Sequence, residues 1–248
     1  MASVKGKVSF TLRKRIEEVL RLCEPYKSYV EKFTFATIPE LNGKVNDVLI
    51  ALSDELLDEY NNDALFAISA ADDDEDKPLV LAWINRDING ENAQYRVDKY
   101  SSHLKHILEG WAAIGFVSGL PVTKTVIEAM AYIDNPFVSP LWQSAFKNPK
   151  YLSPIIQSKG FSYGKGTPTS VLQGLTMVGQ YMINDAFQYG SVQKYKRIGA
   201  IGYMVHRGSG YDCPSCDSLC GYVHPLDEIC LPSHPFCQCF STPVFIES

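Results

Sequence analysis

The sequence predicts a mainly α protein, a helical body over residues 1–190 followed at 191–248 by a small C-terminal α+β subdomain. Three observations carry this expectation. Apolar residues recur every three or four positions in several long stretches of the body, the period of a helix with one buried face. Past Gly190 the pattern changes to a strand-like run, Ile198 to His206, and then to a turn-rich tail. Six of the seven cysteines fall between Cys213 and Cys239. With 248 residues, 46% hydrophobic and 21% charged, the chain is long enough for a sizeable core, and its composition excludes collagen-like, mucin-like and wholly disordered classes.

The first predicted helix covers Ser9 to Phe35, where Ile16, Val19, Leu20 and Cys23 share a face and Pro25 is expected to break or kink it. Cys23, alone on that face, reads as a small buried hydrophobe. A second helix is expected from a cap at Asn46 or Asp47, with Val48, Leu49, Leu52, Leu56 and Leu57 as its apolar stripe. The acidic run Asp72 to Asp76 repels itself and lacks the spaced pattern of a calcium loop, so a solvated loop is expected. From Tyr100 to Val117, Leu104, Ile107, Leu108, Trp111 and Ile114 mark a buried helix face. His103 and His106 on that helix have no further partner at ligand spacing and read as ordinary helix positions. Asn135 to Thr169, rich in proline and glycine, predicts short turns and loops. Another helix should open at Thr169 or Ser170 and run to about Tyr189, with Leu172, Leu175, Met177, Val178, Tyr181, Met182 and Phe187 toward the core.

The net charge is −5, all of it from residues 1–124, which carry 15 basic and 20 acidic side chains. Residues 143–197 are instead net +6: Lys147, Lys150, Lys159, Lys165, Lys194, Lys196 and Arg197 face one acid, Asp185. That stretch suits either a solvated basic face or weak nucleic-acid contact, with Tyr151, Phe161, Tyr163, Tyr189 and Tyr195 available to stack on bases. The overall negative charge speaks against a dedicated nucleic-acid binder. No run of about 18 apolar residues predicts a membrane span. The N-terminus MASVKGKVSF lacks the apolar stretch of a secretory signal, so a cytoplasmic, reducing compartment is expected.

In that compartment the tail reads as a metal site. Cys213 and Cys216 can grip an ion from one tight turn, and His234 with Cys237 or Cys239 can do so from the other side, which closes a tetrahedron. A closed tetrahedron leaves no open position for water, so the expected ion is structural Zn²⁺. A disulfide framework would need an oxidising compartment. A redox C-x-x-C wants a helix after a strand, and a catalytic zinc wants a neighbouring base such as that of H-x-E, which is missing. Spacing does not choose between Cys237 and Cys239. Cys220, His224 and Cys230 read as packing residues, members of a second weaker site, or spares. Gly164-Lys165-Gly166 is too short for a phosphate cradle, and no nucleophile elbow, P-loop or dinucleotide fingerprint occurs, so no enzyme is expected.

The order Asp212, Cys213, Cys216, Leu219, Gly221, then Pro232, His234, Pro235, Cys237, Cys239, preceded by a strand, resembles the C-terminal module of phage head-morphogenesis proteins, the Mu protein F-like minor head family. The resemblance covers about 50 residues, Tyr195 to Val244. Cys220 stands where that family has an acidic or polar residue, and Gln238 where it has arginine. The resemblance implies a non-enzymatic virion or procapsid component in the host cytoplasm and the particle. Its partners would be portal or capsid proteins, with packaged DNA bound weakly at most.

Overall fold

A computed structural model describes residues 3–69, 77–135, 170–210, 212–234 and 237–246. The acidic run Asp72 to Asp76, the loops expected beyond Asn135, Lys147, Lys150, Lys159, Lys165, Gly164-Lys165-Gly166, Tyr151, Phe161 and Tyr163 lie outside the described residues.

Ser3 caps the first helix by accepting the Gly6 N–H at 3.2 Å, and α1 then runs Val4–Cys23. Val8, Leu12, Ile16, Val19, Leu20 and Cys23 form its buried stripe. Pro25 ends the α-helix as expected, and a 3-10 helix, Glu24–Lys32, kinked at Tyr29, takes over. The second helix corrects the expected cap at Asn46 or Asp47. Helix α2 is Pro39–Ser69, because proline at the first helical position gives up an N–H that would be unpaired anyway and Glu40 favours the positive helix end. Asn46 is interior to it and accepts from Lys105 Nζ at 2.6 Å. Val48, Leu49, Leu52 and Leu56 are buried, while Leu57 is only half-buried.

Next in the chain come helices α3 (Lys77–Ile84), α4 (Ala93–Ser118) and α5 (Val122–Asp134). Helix α6, Val171–Arg197, is capped by Ser170, whose hydroxyl accepts the Gln173 N–H at 3.0 Å. It passes straight through the break expected at Gly190. A Cβ there would come within 2.9 Å of Ile68, so this glycine serves close packing and does not stop the helix. The stop is Gly199, at φ +77°, with Ala200 N–H bonding back to Tyr195 O at 3.0 Å, the left-handed cap that glycine accommodates best. Consequently the strand expected from Ile198 shortens to β1, Gly202–His206. Phe187, expected in the core, is 44% exposed.

The chain divides into two units. One holds residues 1–56 and 96–176, the other 57–95 and 177–248. In the first, α1 packs on α5, Trp111 meets Tyr132 edge-on at 6.1 Å, and Leu104, Leu108 and Ile133 are buried. Glu109, buried here, accepts the Phe35 N–H at 2.8 Å through Oε2. Burial pushes the Cys23 thiol up to about 12, helped by Glu109, as suits a small hydrophobe. In the second unit, buried Asp185 accepts from Trp83 Nε1 at 2.9 Å and from Arg86 Nη1 at 2.5 Å. Arg86 lies 3.8 Å above the Trp83 ring, and Tyr189 stacks on that ring at 4.9 Å. The same unit carries a three-stranded antiparallel sheet in the order β2-β1-β3, where β2 is Val223–His224 and β3 is Phe240–Val244. Tyr203 pairs with His224 on one side, and Gly202 to His206 pair with Val244 back to Phe240 on the other.

Candidate metal centre

Two backbone turns build the site. In the first, Cys213 precedes a single-turn helix α7, Pro214–Asp217, and the Cys216 N–H donates to Cys213 O at 3.0 Å. Proline at the first position of that turn fixes its start. In the second, the Cys237 N–H donates to His234 O at 3.1 Å. Both turns close a bond from residue i+3 to residue i, which brings their first and fourth side chains onto one side of the chain. C-x-x-C and H-x-x-C are therefore two copies of one device.

The turns face each other. His234 Nε2 lies 3.3 Å from Cys213 Sγ and 3.2 Å from Cys216 Sγ, and Cys216 Sγ lies 3.8 Å from Cys237 Sγ. The ligand atoms form two overlapping groups, Cys213–Cys216–His234 and Cys216–Cys237–Cys239, each within 4.8 Å of one another. Cys216 belongs to both. All five residues singled out from the sequence fall in these two groups, each of which could hold a metal ion. Cys216, Cys237 and Cys239 are buried, packed with Val192, Tyr203, Val205 and Leu231.

Burial, together with the neighbouring thiols of Cys213, Cys239 and Cys237, pushes the Cys216 thiol up to about 12, against a lowering contact from Ser233. A thiol held in its protonated form in this way would have to give up that proton to bind a metal. Burial also opposes ionisation of Cys237. Backbone groups of Cys239 and Ser233 and the Ser233 hydroxyl outweigh it, and the Cys237 thiol lies below its ordinary value.

Cys220, His224 and Cys230 lie outside both groups. The Cys220 thiol donates to Cys216 O at 3.4 Å. His224 contacts Leu219 O through Nε2 at 2.7 Å and stacks on Tyr203 with ring centres 5.3 Å apart. Cys230 Sγ sits 3.0 Å from the Tyr203 hydroxyl. Of the readings open for these three, packing fits their contacts.

Sequence reasoning missed two residues at the site. Ser233 reaches both Cys216 Sγ, at 3.3 Å, and Cys237 Sγ, at 3.8 Å. Arg207 donates to Cys213 O at 3.2 Å and to Asp217 Oδ1 at 2.7 Å. Burial works against its positive charge, and the neighbouring Asp217 carboxylate leads the groups that outweigh it and hold the proton on the guanidinium. Neither residue has a spacing signal that marks it.

Of the basic candidates, Lys194, Lys196 and Arg197 are described. They occupy the last turn of α6, where cations complement the helix dipole. No described helix is long and apolar enough to cross a membrane. No protein-family model, curated protein or solved structure matches this chain.

Proposed function

We propose that the tail is a structural zinc site and that the chain is a non-enzymatic head-morphogenesis component of a phage or prophage, associating with portal or capsid subunits. The observation that carries this reading is the convergence, in motif order, of two matching turns on Cys216. Tetrahedral Zn²⁺ with Zn–S bonds of about 2.3 Å sets its sulfurs about 3.8 Å apart. Cys216 and Cys237 stand at 3.8 Å.

The proposed ligand set is Cys213, Cys216 and His234, which lie together, with Cys237 or Cys239, which share Cys216 with them, as the fourth ligand. Soft thiolates with one imidazole suit zinc better than calcium or magnesium, which want oxygen. Three thiolates around Zn²⁺ leave one net negative charge, and Arg207 is the cation beside it. Four protein ligands leave no position for a reacting water, so the ion organises the chain and performs no chemistry.

The head-morphogenesis half of the reading rests on the resemblance in residue order from Asp212 to Cys239. The virion and host cytoplasm follow from it as the places of action. A pull-down of the full chain at physiological salt tests it, with duplex DNA and with portal and capsid subunits from the same genome. Retention of portal or capsid and loss of DNA is the expected result. Retention of DNA alone would replace this reading with a zinc-stabilised nucleic-acid-binding protein.

A further inference from the structure

We propose that Asn184, Gln188 and Tyr195 of α6 are positioning residues for the metal centre, holding the Cys237–Ser241 segment so that its thiols face Cys216; this rests on the metal reading above. Asn184 Nδ2 donates to Cys237 O at 3.0 Å, Gln188 Nε2 to Cys239 O at 3.3 Å, and the Tyr195 hydroxyl to Ser241 O at 2.7 Å. Ser241 returns a bond from its hydroxyl to Gln188 Oε1 at 3.1 Å. The three carbonyls are every second one along the segment.

The two repeats match in length. Four helical residues rise about 6 Å, and two extended residues advance about 6.6 Å. Asn184 and Gln188 therefore meet Cys237 and Cys239 in step, and the longer Tyr195 side chain covers the next carbonyl. Burial alternates along the segment, with Cys237 and Cys239 buried and Gln238 and Phe240 exposed, the period of two that puts alternate side chains on one face and brings both thiols to Cys216. Rolling the segment about its axis would break the carbonyl bonds and swing both thiols away. Strand β1 pairs with β3 from Phe240 on, and the side chains of α6 bond the carbonyls of Cys237 and Cys239 just before it and of Ser241 within it. Gln188 is 5% exposed, so a lost bond there is not readily replaced by water.

The test is zinc release from the full-length protein into excess chelator, together with the thiolate-to-metal and d–d absorption of the Co²⁺-loaded protein. Asn184→Leu, Gln188→Met and Tyr195→Phe each remove a donor at nearly constant shape. Each should speed release, and Asn184→Leu with Gln188→Met should do so about tenfold or more, the scale of outer-shell partners at metal sites. Their Co²⁺ bands should shift. Phe187→Gly, on the exposed face of the same helix, weakens the helix without touching a donor and should leave the Co²⁺ bands in place. Tyr195→Phe deletes a single oxygen and serves where the larger changes impair folding. Parental release rates and spectra in all donor variants would overturn the proposal, as would equal spectral shifts in Phe187→Gly. A parental protein that takes up neither Zn²⁺ nor Co²⁺ would overturn the metal reading itself, a result visible before any variant is made.

Discussion

Two buried cysteines show how differently the two units are held. Cys23 and Cys216 are both pushed up to about 12, chiefly by burial. Around Cys23 the neighbours are the apolar stripe of α1 and one carboxylate, so the thiol behaves as another methyl-sized group. Around Cys216 the neighbours are other thiols and an imidazole, and the buried cluster there counts Cys216, Cys237 and Cys239 beside Val192, Tyr203, Val205 and Leu231. Full burial of a large apolar side chain contributes about 1.5–3 kcal/mol. The helical interior around Trp111 has many such side chains, and the tail has few. Burial alone does not make a cysteine a candidate ligand; the company it keeps does, and on the proposed reading a metal would stand in the tail for the core it lacks.

The sharpest way to break that comparison is to make one chemical change in both places. Cys216→Ser removes the ligand common to both groups. Metal analysis should find the ion lost, and near-ultraviolet circular dichroism should lose the ordered tail tyrosines while the far-ultraviolet helical signal stays. Structural zinc sites in peptides are worth about 10–16 kcal/mol, so this is the largest effect expected. Cys23→Ser should leave the metal content unchanged and cost about 1–3 kcal/mol in denaturant unfolding, for a hydroxyl placed in an apolar site. Metal loss in the Cys23 variant would erase the distinction.

Leu108→Ala comes next. Leu108 is fully buried, and such truncations cost about 2–5 kcal/mol. Urea unfolding should give the same loss with and without chelator, because this core owes nothing to the metal; a loss that changes with chelator would contradict it. Asp185→Leu leaves the half-buried Arg86 and the Trp83 N–H without their carboxylate. Hydrogen bonds to charged groups are worth about 1.5–3 kcal/mol, so thermal unfolding should shift by that much while bound zinc is unaffected.

The smallest effect is one of pH. Burial works against the Glu55 carboxylate, but Arg15 and Lys14 more than offset it and hold its carboxyl below the ordinary value. A group depressed on folding stabilises the protein at pH values above its unfolded pKa, and that contribution is lost as pH falls through the folded pKa. Glu55→Gln should therefore cost up to about 1 kcal/mol at neutral pH, given a partly exposed pair, and nothing once the carboxyl is protonated. Urea midpoints at neutral and at acid pH would show it; an equal loss at both would assign the effect to packing.

Much of this fold was legible because it is written in local chemistry. The stripe of α1, the break at Pro25, the cap at Ser170 and the burial of Leu104 to Ile114 follow from spacing and from single residues. The misreadings have a common cause. Gly190 looked like a terminator because its neighbour Ile68, distant in sequence, cannot be seen from the sequence, and Asn46 looked like a cap because Lys105 cannot be seen either. At the site the candidate ligands stood out by spacing, since each turn is local. Arg207, Ser233, Asn184 and Gln188 did not, because their roles exist only after the turns have been brought together.

The central claim is that four protein ligands in the tail close around one ion, and X-ray absorption at the zinc edge of the purified full-length protein tests it most directly. One zinc per chain is expected, with three sulfurs at about 2.3 Å and one nitrogen at about 2.0–2.1 Å. A protein without metal whose tail cysteines are joined in disulfides would contradict the claim, as would a zinc that keeps a bound water in place of one of those ligands.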